Sequence, residues 1–230
     1  MHPPHPPAPL EWTTVSTTLP ASPLPPLASR PEIRTARLVL RRTLASDLAA
    51  WHAMRSQPEV MTWTSQGAPD RDEAWSRERL ARRLAPEADA QYDFAICLAD
   101  TGEMVGVGGC HRTCGGGLGW PVLGYMLRRE FWGHGYATEF LAALLDAWWA
   151  LPRVPVPELR VERSTVDAVG GGDGSARECI VAVTLDANSG SQRVLDKCKL
   201  ELVKVWEEPD LRDPDTTATL YAYVARRPGH

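Results

Sequence analysis

One stretch of the chain combines residue types at a spacing that could bind a phosphorylated ligand: Gly124-Tyr125-Met126-Leu127-Arg128-Arg129-Glu130-Phe131-Trp132-Gly133-His134-Gly135-Tyr136-Ala137-Thr138-Glu139. It reads as a strand, a turn with two glycines, and the start of a helix. A helix N-terminus leaves about four backbone N–H groups without partners and carries partial positive charge, so a pyrophosphate fits there with few cationic side chains. Glycines let the anion approach the backbone closely. A glycine pair before a helix is also a common turn or cap. The stretch lacks the Gly-Lys-Ser/Thr of a P-loop and the third glycine of the dinucleotide fingerprint, so its surroundings must decide.

Other reactive side chains give less. Cys110, His111 and Cys114 suggest zinc, but a structural site needs four ligands and no second pair matches them, so ordinary thiols and no metal are expected. A cysteine nucleophile lacks a recognisable histidine partner. His111, at the end of its strand and facing a glycine-rich loop, is a candidate general base, although a single histidine is more often structural.

The elements that must position these groups follow from periodicity and turn signals. Ile33 to Arg42 alternates as a first strand, and Ser46 offers an N-cap ahead of Leu48, Trp51, His52 and Arg55, with Pro58 ending that helix. A second helix is expected over 70–84. Strands over 92–99 and 104–112 flank the Asp100-Thr101-Gly102-Glu103 turn as an antiparallel hairpin. The Gly115 to Gly119 loop leads to a strand over 122–128 and then a helix over 135–150, whose buried face is Leu141, Leu144, Leu145, Trp148 and Trp149. Beyond Pro152 to Pro157, strands over 159–166 and 179–185 enclose glycines at 170, 171, 172 and 174 and read as an inserted hairpin. A helix over 191–198 and strands over 200–206 and 217–225 complete a mixed α/β (α+β) domain spanning 32–230, with a largely antiparallel central sheet flanked by helices.

Residues 1–31 hold ten of the twenty prolines, no lysine and one arginine, and read as a proline-rich, disordered or loosely packed tail. The 230 residues, 43% hydrophobic, suffice for one sizeable core. A net charge of −4 gives no general attraction to nucleic acid. Five scattered cysteines suit a reducing compartment. No stretch approaches the roughly 20 apolar residues of a membrane helix, and the N-terminus has neither a charged start nor an unbroken apolar run, so a cytoplasmic location is expected.

Three separated motifs, in order, resemble the GNAT acetyltransferase superfamily and its RimJ/RimL-like branch. Arg34-Thr35-Ala36-Arg37-Leu38-Val39-Leu40-Arg41 is similar to that branch's first strand, Thr-x-Arg-Leu-x-Leu-Arg. Trp132-Gly133-His134-Gly135-Tyr136-Ala137 falls on the Gln/Arg-x-x-Gly-x-Gly/Ala pyrophosphate loop, with Trp132 where Gln or Arg is frequent. Asn188-Ser189-Gly190-Ser191-Gln192-Arg193-Val194-Leu195-Asp196-Lys197 resembles Asn-x-x-Ser-x-x-x-Leu-x-Lys.

The resemblance implies an acyl-CoA N-acyltransferase that uses acetyl-CoA as co-substrate, with a small amine or protein N-terminus as acceptor. A splayed strand before the loop would offer backbone groups of Met126, Leu127 and Arg129 to the pantetheine arm. Gly133, His134, Gly135, Tyr136, Ala137 and Thr138 would form the pyrophosphate cradle. It further implies that Asn188 holds the pantetheine arm, a role compatible with an Asx turn, and that Arg193 and Lys197 reach the nucleotide phosphates. Ser191 is a candidate proton donor to the thiolate, though serine is equally a helix-start residue. Tyr125 is a candidate that reads better as packing. Val122 stands where members of the branch commonly have Glu, which removes one candidate base, and an alternative is an acyl-CoA-binding module with weak or no catalysis. Lys199-Leu200 replaces the usual Gly-Phe, so the preceding helix loses its capping glycine. Acceptor specificity is expected in residues 55–90 and around 170–174, and Trp63, Trp75 and Trp120 suit an aromatic pocket or an interface.

Overall fold

The computed structural model describes residues 6–26, 29–84, 91–113, 115–167 and 174–229. The fold is mixed α/β with a largely antiparallel sheet, and its residues group into two compact units.

One unit comprises 23–111 and 124–148. Strands β2 (Ile33–Arg34) and β3 (Leu38–Arg41) pair across a tight turn, and β4 (Tyr92–Leu98) and β5 (Met104–Arg112) follow in antiparallel order. The last portion of β6 (Val122–Leu127) completes the row beside β5. Helices α1 (Leu48–Arg55), α2 (Pro58–Met61), α3 (Glu73–Leu84) and α4 (Tyr136–Ala150) belong to this unit for most or all of their length. Trp51, Met54, Val60 and Leu80 from the helices pack with Ala95, Cys97, Met104 and Val107 from the strands. Helix α4 buries Phe140, Leu141, Leu144, Leu145 and Trp148; Trp149, expected on the buried face, is only half-buried.

Helix α1 starts later than expected. Ala45–Asp47 forms a single 3-10 turn, and Asp47 rather than Ser46 takes the N-cap position, its carboxylate accepting from the Leu44 N–H at 2.8 Å and from both Arg41 amino groups. A carboxylate that satisfies a strand arginine as well as the turn outcompetes a serine hydroxyl. Pro58 ends α1 and opens α2 at its first position, where its missing N–H costs nothing.

The other unit comprises 1–22, 112–123 and 149–229. Its main sheet runs β6, β8 (Cys179–Leu185), β10 (Asp213–Arg226), β9 (Glu201–Asp210), with β6 parallel to β8 at Val122↔Val181 and Leu123↔Ala182 and the other pairs antiparallel. A separate two-stranded ladder joins β1 (Trp12–Pro20) to β7 (Arg153–Glu162).

Two expectations fail here. Residues 1–31 are not tail throughout, because Trp12–Pro20 is a strand in register with Arg153–Glu162. The prolines of this stretch fall before the strand, at its end and after it, leaving Trp12 to Leu19 proline-free, threonine-rich and able to bury Val15 and Leu19. The segment before it is also held, by Ala8 N–H to the Val205 carbonyl and by Lys204 Nζ to the Pro9 carbonyl. The inserted hairpin is likewise absent, since β7 pairs with β1 while β8 takes β6 and β10. Strand β8 is apolar and mostly buried along its length, as a central strand must be. Pro155 and Pro157 suit β7 to a two-stranded ladder, where each strand has an edge outside the ladder for a missing N–H. Gly170, Gly171 and Gly172 lie outside the described residues.

Trp120, expected in an aromatic pocket or interface, is fully buried and donates its indole N–H to Thr165 Oγ1 at 2.7 Å. Around it pack Leu118, Val161, Cys179, Val181, Trp206, Ala222 and Val224.

Helix α5 (Ser189–Lys197) ends in a Schellman arrangement, with Leu200 N–H donating to the Leu195 carbonyl and Lys199 N–H to that of Asp196. Lys199 carries a left-handed φ of 60°, the conformation for which the missing glycine is suited. Because that region costs an L-residue roughly 1–2 kcal/mol, Lys199→Gly is expected to stabilise the protein by about 1 kcal/mol, a rise of a few degrees in melting temperature. An unchanged or lower melting temperature would contradict this.

Candidate active site

The strand–turn–helix segment is built as its sequence suggests. From Val122 to Leu123, β6 is paired with β8; no β8 partner is recorded for Gly124 to Leu127 among the described residues. The strand ends at Leu127, a 3-10 turn covers Arg129–Phe131, and α4 begins at Tyr136. Gly133 and Gly135 have φ of 81° and 82°. Gly133, His134 and Gly135 are exposed, and a Cβ built on Gly133 would meet nothing within 4 Å. The first i to i−4 bond of α4 runs from Glu139 N–H to the Gly135 carbonyl, which leaves the Tyr136 and Ala137 N–H groups in the first turn of the helix, ahead of its i to i−4 ladder. Exposed backbone, open space and a helix start therefore coincide, and the segment fits a pyrophosphate.

Side chains from the opening motif hold this loop. Thr35 Oγ1 donates to Glu139 Oε1 at 2.6 Å, and the Arg37 backbone N–H donates to the same oxygen at 2.9 Å. Arg37 Nε donates to Glu139 Oε2 at 2.7 Å, and its Nη1 to the His134 carbonyl at 2.9 Å. Burial would raise the Glu139 pKa, but the hydrogen bonds from Thr35 and Arg37 outweigh it and hold the carboxyl below its usual range. The Arg37 guanidinium lies 4.8 Å from the Tyr136 ring centroid, and that ring stacks on His134 at 5.7 Å. The Thr-x-Arg pattern of the first strand is thus a brace for the loop about a hundred residues later.

The strand end is fixed from the N-cap residue of α2. Gln57 Oε1 accepts the Arg129 backbone N–H at 2.7 Å while Gln57 Nε2 donates to Glu130 Oε2 at 2.8 Å. The Arg129 N–H, expected to serve a ligand, is therefore already engaged, and the Arg129 carbonyl accepts from Trp132 N–H at 3.2 Å. Trp132 donates its indole N–H to the Leu127 carbonyl at 2.8 Å and carries the Arg129 guanidinium 5.0 Å from its ring. Its replacement of Gln or Arg exchanges a polar residue for an aromatic post under the turn. Met126 packs against the helix–strand core. Sequence reasoning passed over Gln57, Glu139 and Arg37 as site residues; Glu139 closed the quoted glycine-turn stretch and Arg37 stood in the first-strand motif, but neither was given a role.

Of the catalytic candidates, His111 is exposed at the end of β5, and its Cε1 and Nδ1 would lie 3.2 and 3.3 Å from a Cβ at Gly124. The imidazole thus sits over β6 one residue past its last β8 pairing, in the same unit as the glycine loop. Tyr125 packs, its ring 6.2 Å from that of Phe140. Asn188 Oδ1 accepts the Ser191 N–H at 3.0 Å, which makes Asn188 the N-cap of α5. Arg193 and Lys197 are exposed four residues apart on that helix. These four residues belong to the second unit, and Val122, buried and facing Val181 in the ladder, offers no carboxylate there. Cys114 lies outside the described residues; Cys97, Cys110 and Cys179 are buried, and burial pushes the Cys97 thiol up to about 11.

Residues 37–201 match the family model for the acetyltransferase (GNAT) domain. The chain belongs to the GNAT acetyltransferase family. Among GNAT relatives, the uncharacterized N-acetyltransferase p20 of Bacillus licheniformis is 28% identical over 142 residues, covering 59% of this chain and 75% of that one. The GNAT-family acetyltransferase from Bacillus anthracis superposes with a TM-score of 0.62 at 19% identity, over 86% of this chain and 99% of that one. Spermidine N-acetyltransferase from Vibrio cholerae, solved with CoA and spermine, superposes with a TM-score of 0.58 at 12% identity, over 84% and 97%. As a GNAT chain it has the family's fold, and no described helix is long and apolar enough to cross a membrane.

Proposed function

We propose that this GNAT chain moves the acetyl group of acetyl-CoA onto a primary amine, of a small molecule or a protein N-terminus. The observation that carries the reading is the exposed, left-handed Gly133–Gly135 pair opening onto the first turn of α4. The backbone N–H groups of Gly133, Gly135, Tyr136, Ala137 and Thr138 hold the pyrophosphate, and Arg37 keeps the loop in place through Glu139 and His134. Solved relatives bound to CoA with spermine and to acetyl-CoA with AMP support the co-substrate.

In the reaction the neutral amine nitrogen bonds to the acetyl carbon, the carbon–sulfur bond breaks, and the amine proton is lost while the thiolate gains one. With Val122 at the position of a common carboxylate, His111, lying over β6 at Gly124, is a group able to accept that proton, directly or through one water. His111→Ala is therefore expected to lower kcat about a hundredfold while leaving the KM for acetyl-CoA near its original value. Unchanged kcat would remove His111 from the mechanism.

Calorimetric titration with acetyl-CoA, beside a thiol-release assay over small amines and N-terminal peptides, tests the whole reading. Binding with turnover supports the enzyme. Binding without turnover on any amine supports the alternative that the aliphatic Val122 favours, an acyl-CoA-binding module. No binding removes the pyrophosphate site.

A further inference from the structure

An open pocket lies against the β1–β7 ladder, in the unit that does not carry the glycine loop. A cavity of about 470 Å³ lies between residues 16–18 of β1, 155–157 of β7, 175–178 leading into β8, and 227–229 after β10. Its volume falls within the range of small-molecule sites. β1 lies outside the residues that match the GNAT model, so the cavity depends on a segment added to that domain.

The walls are largely apolar, formed by Pro155, Val156, Pro157, Ala176 and Pro228, and the charges around them are unbalanced. Glu178, 2% exposed, receives Arg153 Nε at 2.8 Å and Thr18 Oγ1 at 3.0 Å on one oxygen. Its other oxygen is buried without a partner among the described residues, and burial raises its pKa despite Arg153, Thr18 and Arg227. Arg177 faces Asp167 at 3.4 Å. Arg227 makes no ion pair among the described residues, and its backbone N–H is anchored to the Glu178 carbonyl at 2.8 Å. Among the described residues, the lining Arg177 and Arg227, with Arg153 as the partner of Glu178, stand against Glu178 and Asp167, an excess of one positive charge beside the pocket.

We infer that this cavity binds a small organic monoanion with an apolar body, its carboxylate on Arg227 and its hydrocarbon on the proline and valine wall. A guanidinium forks onto a carboxylate with two parallel hydrogen bonds, and the surrounding low-polarity wall strengthens them. An ammonium in place of the carboxylate would meet Arg227, and Glu178, whose charge is matched by Arg153 at 2.8 Å, leaves the net field against it.

The test is calorimetric titration of hexanoate and benzoate into the full chain, with hexylammonium as the charge control, each repeated with excess CoA. The expected result is one-to-one binding of the carboxylates, no binding of hexylammonium, and no change on adding CoA. Arg227→Gln is expected to weaken carboxylate binding at least about tenfold. Ala176→Leu, which fills the apolar wall, is expected to weaken it as well. Carboxylates that give no binding up to about 10 mM, bind no better than hexylammonium, are displaced by CoA, or bind Arg227→Gln unchanged would each overturn the assignment.

Discussion

Asp70→Ala is expected to destabilise the protein by about 3–5 kcal/mol, the cost of stranding a buried charge by removing its partner. Arg55, 6% exposed, donates from Nε to Asp70 Oδ2 at 2.7 Å and from Nη2 to Oδ1 at 2.9 Å, and the Asp70 side chain is fully buried. Gln66 Nε2 and Ser76 Oγ complete the carboxylate's shell at 2.9 and 2.7 Å. Alanine would leave the guanidinium in the interior with Gln66 Oε1 alone, among the described residues, to accept from it. Asp70→Asn keeps an acceptor in place and is expected to cost less. The same pair gives an acid sensitivity of defined sign. Burial alone would raise the Asp70 pKa, but the bonds from Arg55, Gln66 and Ser76 outweigh it and lower it. A depressed carboxylate contributes stability that is present above its unfolded value of about 3.9 and is lost as pH falls through the lower folded value. Urea unfolding at neutral pH and at about pH 3 checks both statements. A midpoint of Asp70→Ala equal to that of the parent at neutral pH would refute the first, and a parent–variant difference that persists undiminished at low pH would refute the second.

That network also shows where the sequence was readable and where it was not. The strand, glycine turn and helix start at Leu127 to Tyr136 were legible because helix periodicity, paired glycines and an apolar run are local signals that agree with one another. The Thr35-x-Arg37 pattern was visible, yet its work on Glu139 was not, because nothing local tells a first-strand arginine that its carboxylate lies a hundred residues away. Gln57 is the same case: it reads as an ordinary residue before a proline, and only the fold sets its amide on Arg129 N–H. Trp12–Pro20 failed for a different reason. Average composition over thirty residues marked the segment as unstructured, while the placement of prolines around a threonine-rich core left a strand that needed only β7 to pair with. Asn188 went the other way, with a local cap and a ligand role both compatible with one signal, and the cap is what the geometry of α5 displays.

Gly135→Val is expected to weaken acetyl-CoA binding on the order of a hundredfold, the loss of about two charge-assisted hydrogen bonds, while lowering the melting temperature by only a few degrees. A valine cannot hold φ of 82° without strain, so the backbone at 135 would rotate and take the Tyr136 and Ala137 N–H groups away from their common aim. Its Cβ would also press on Arg37 Nη2, which lies 3.4 Å from that position, and so disturb the guanidinium that braces the His134 carbonyl. Strain by itself must be separated from loss of the cradle. Gly102 supplies the comparison, since it is left-handed at φ of 72° in the turn between β4 and β5 with nothing within 4 Å of its Cβ position. Gly102→Val carries a similar backbone penalty and is expected to leave acetyl-CoA affinity unchanged. Calorimetry on the two variants therefore asks one question: a large loss at 135 alone places the pyrophosphate on the first turn of α4, whereas equal affinities, or equal losses, would mean that the paired glycines serve only to turn the chain.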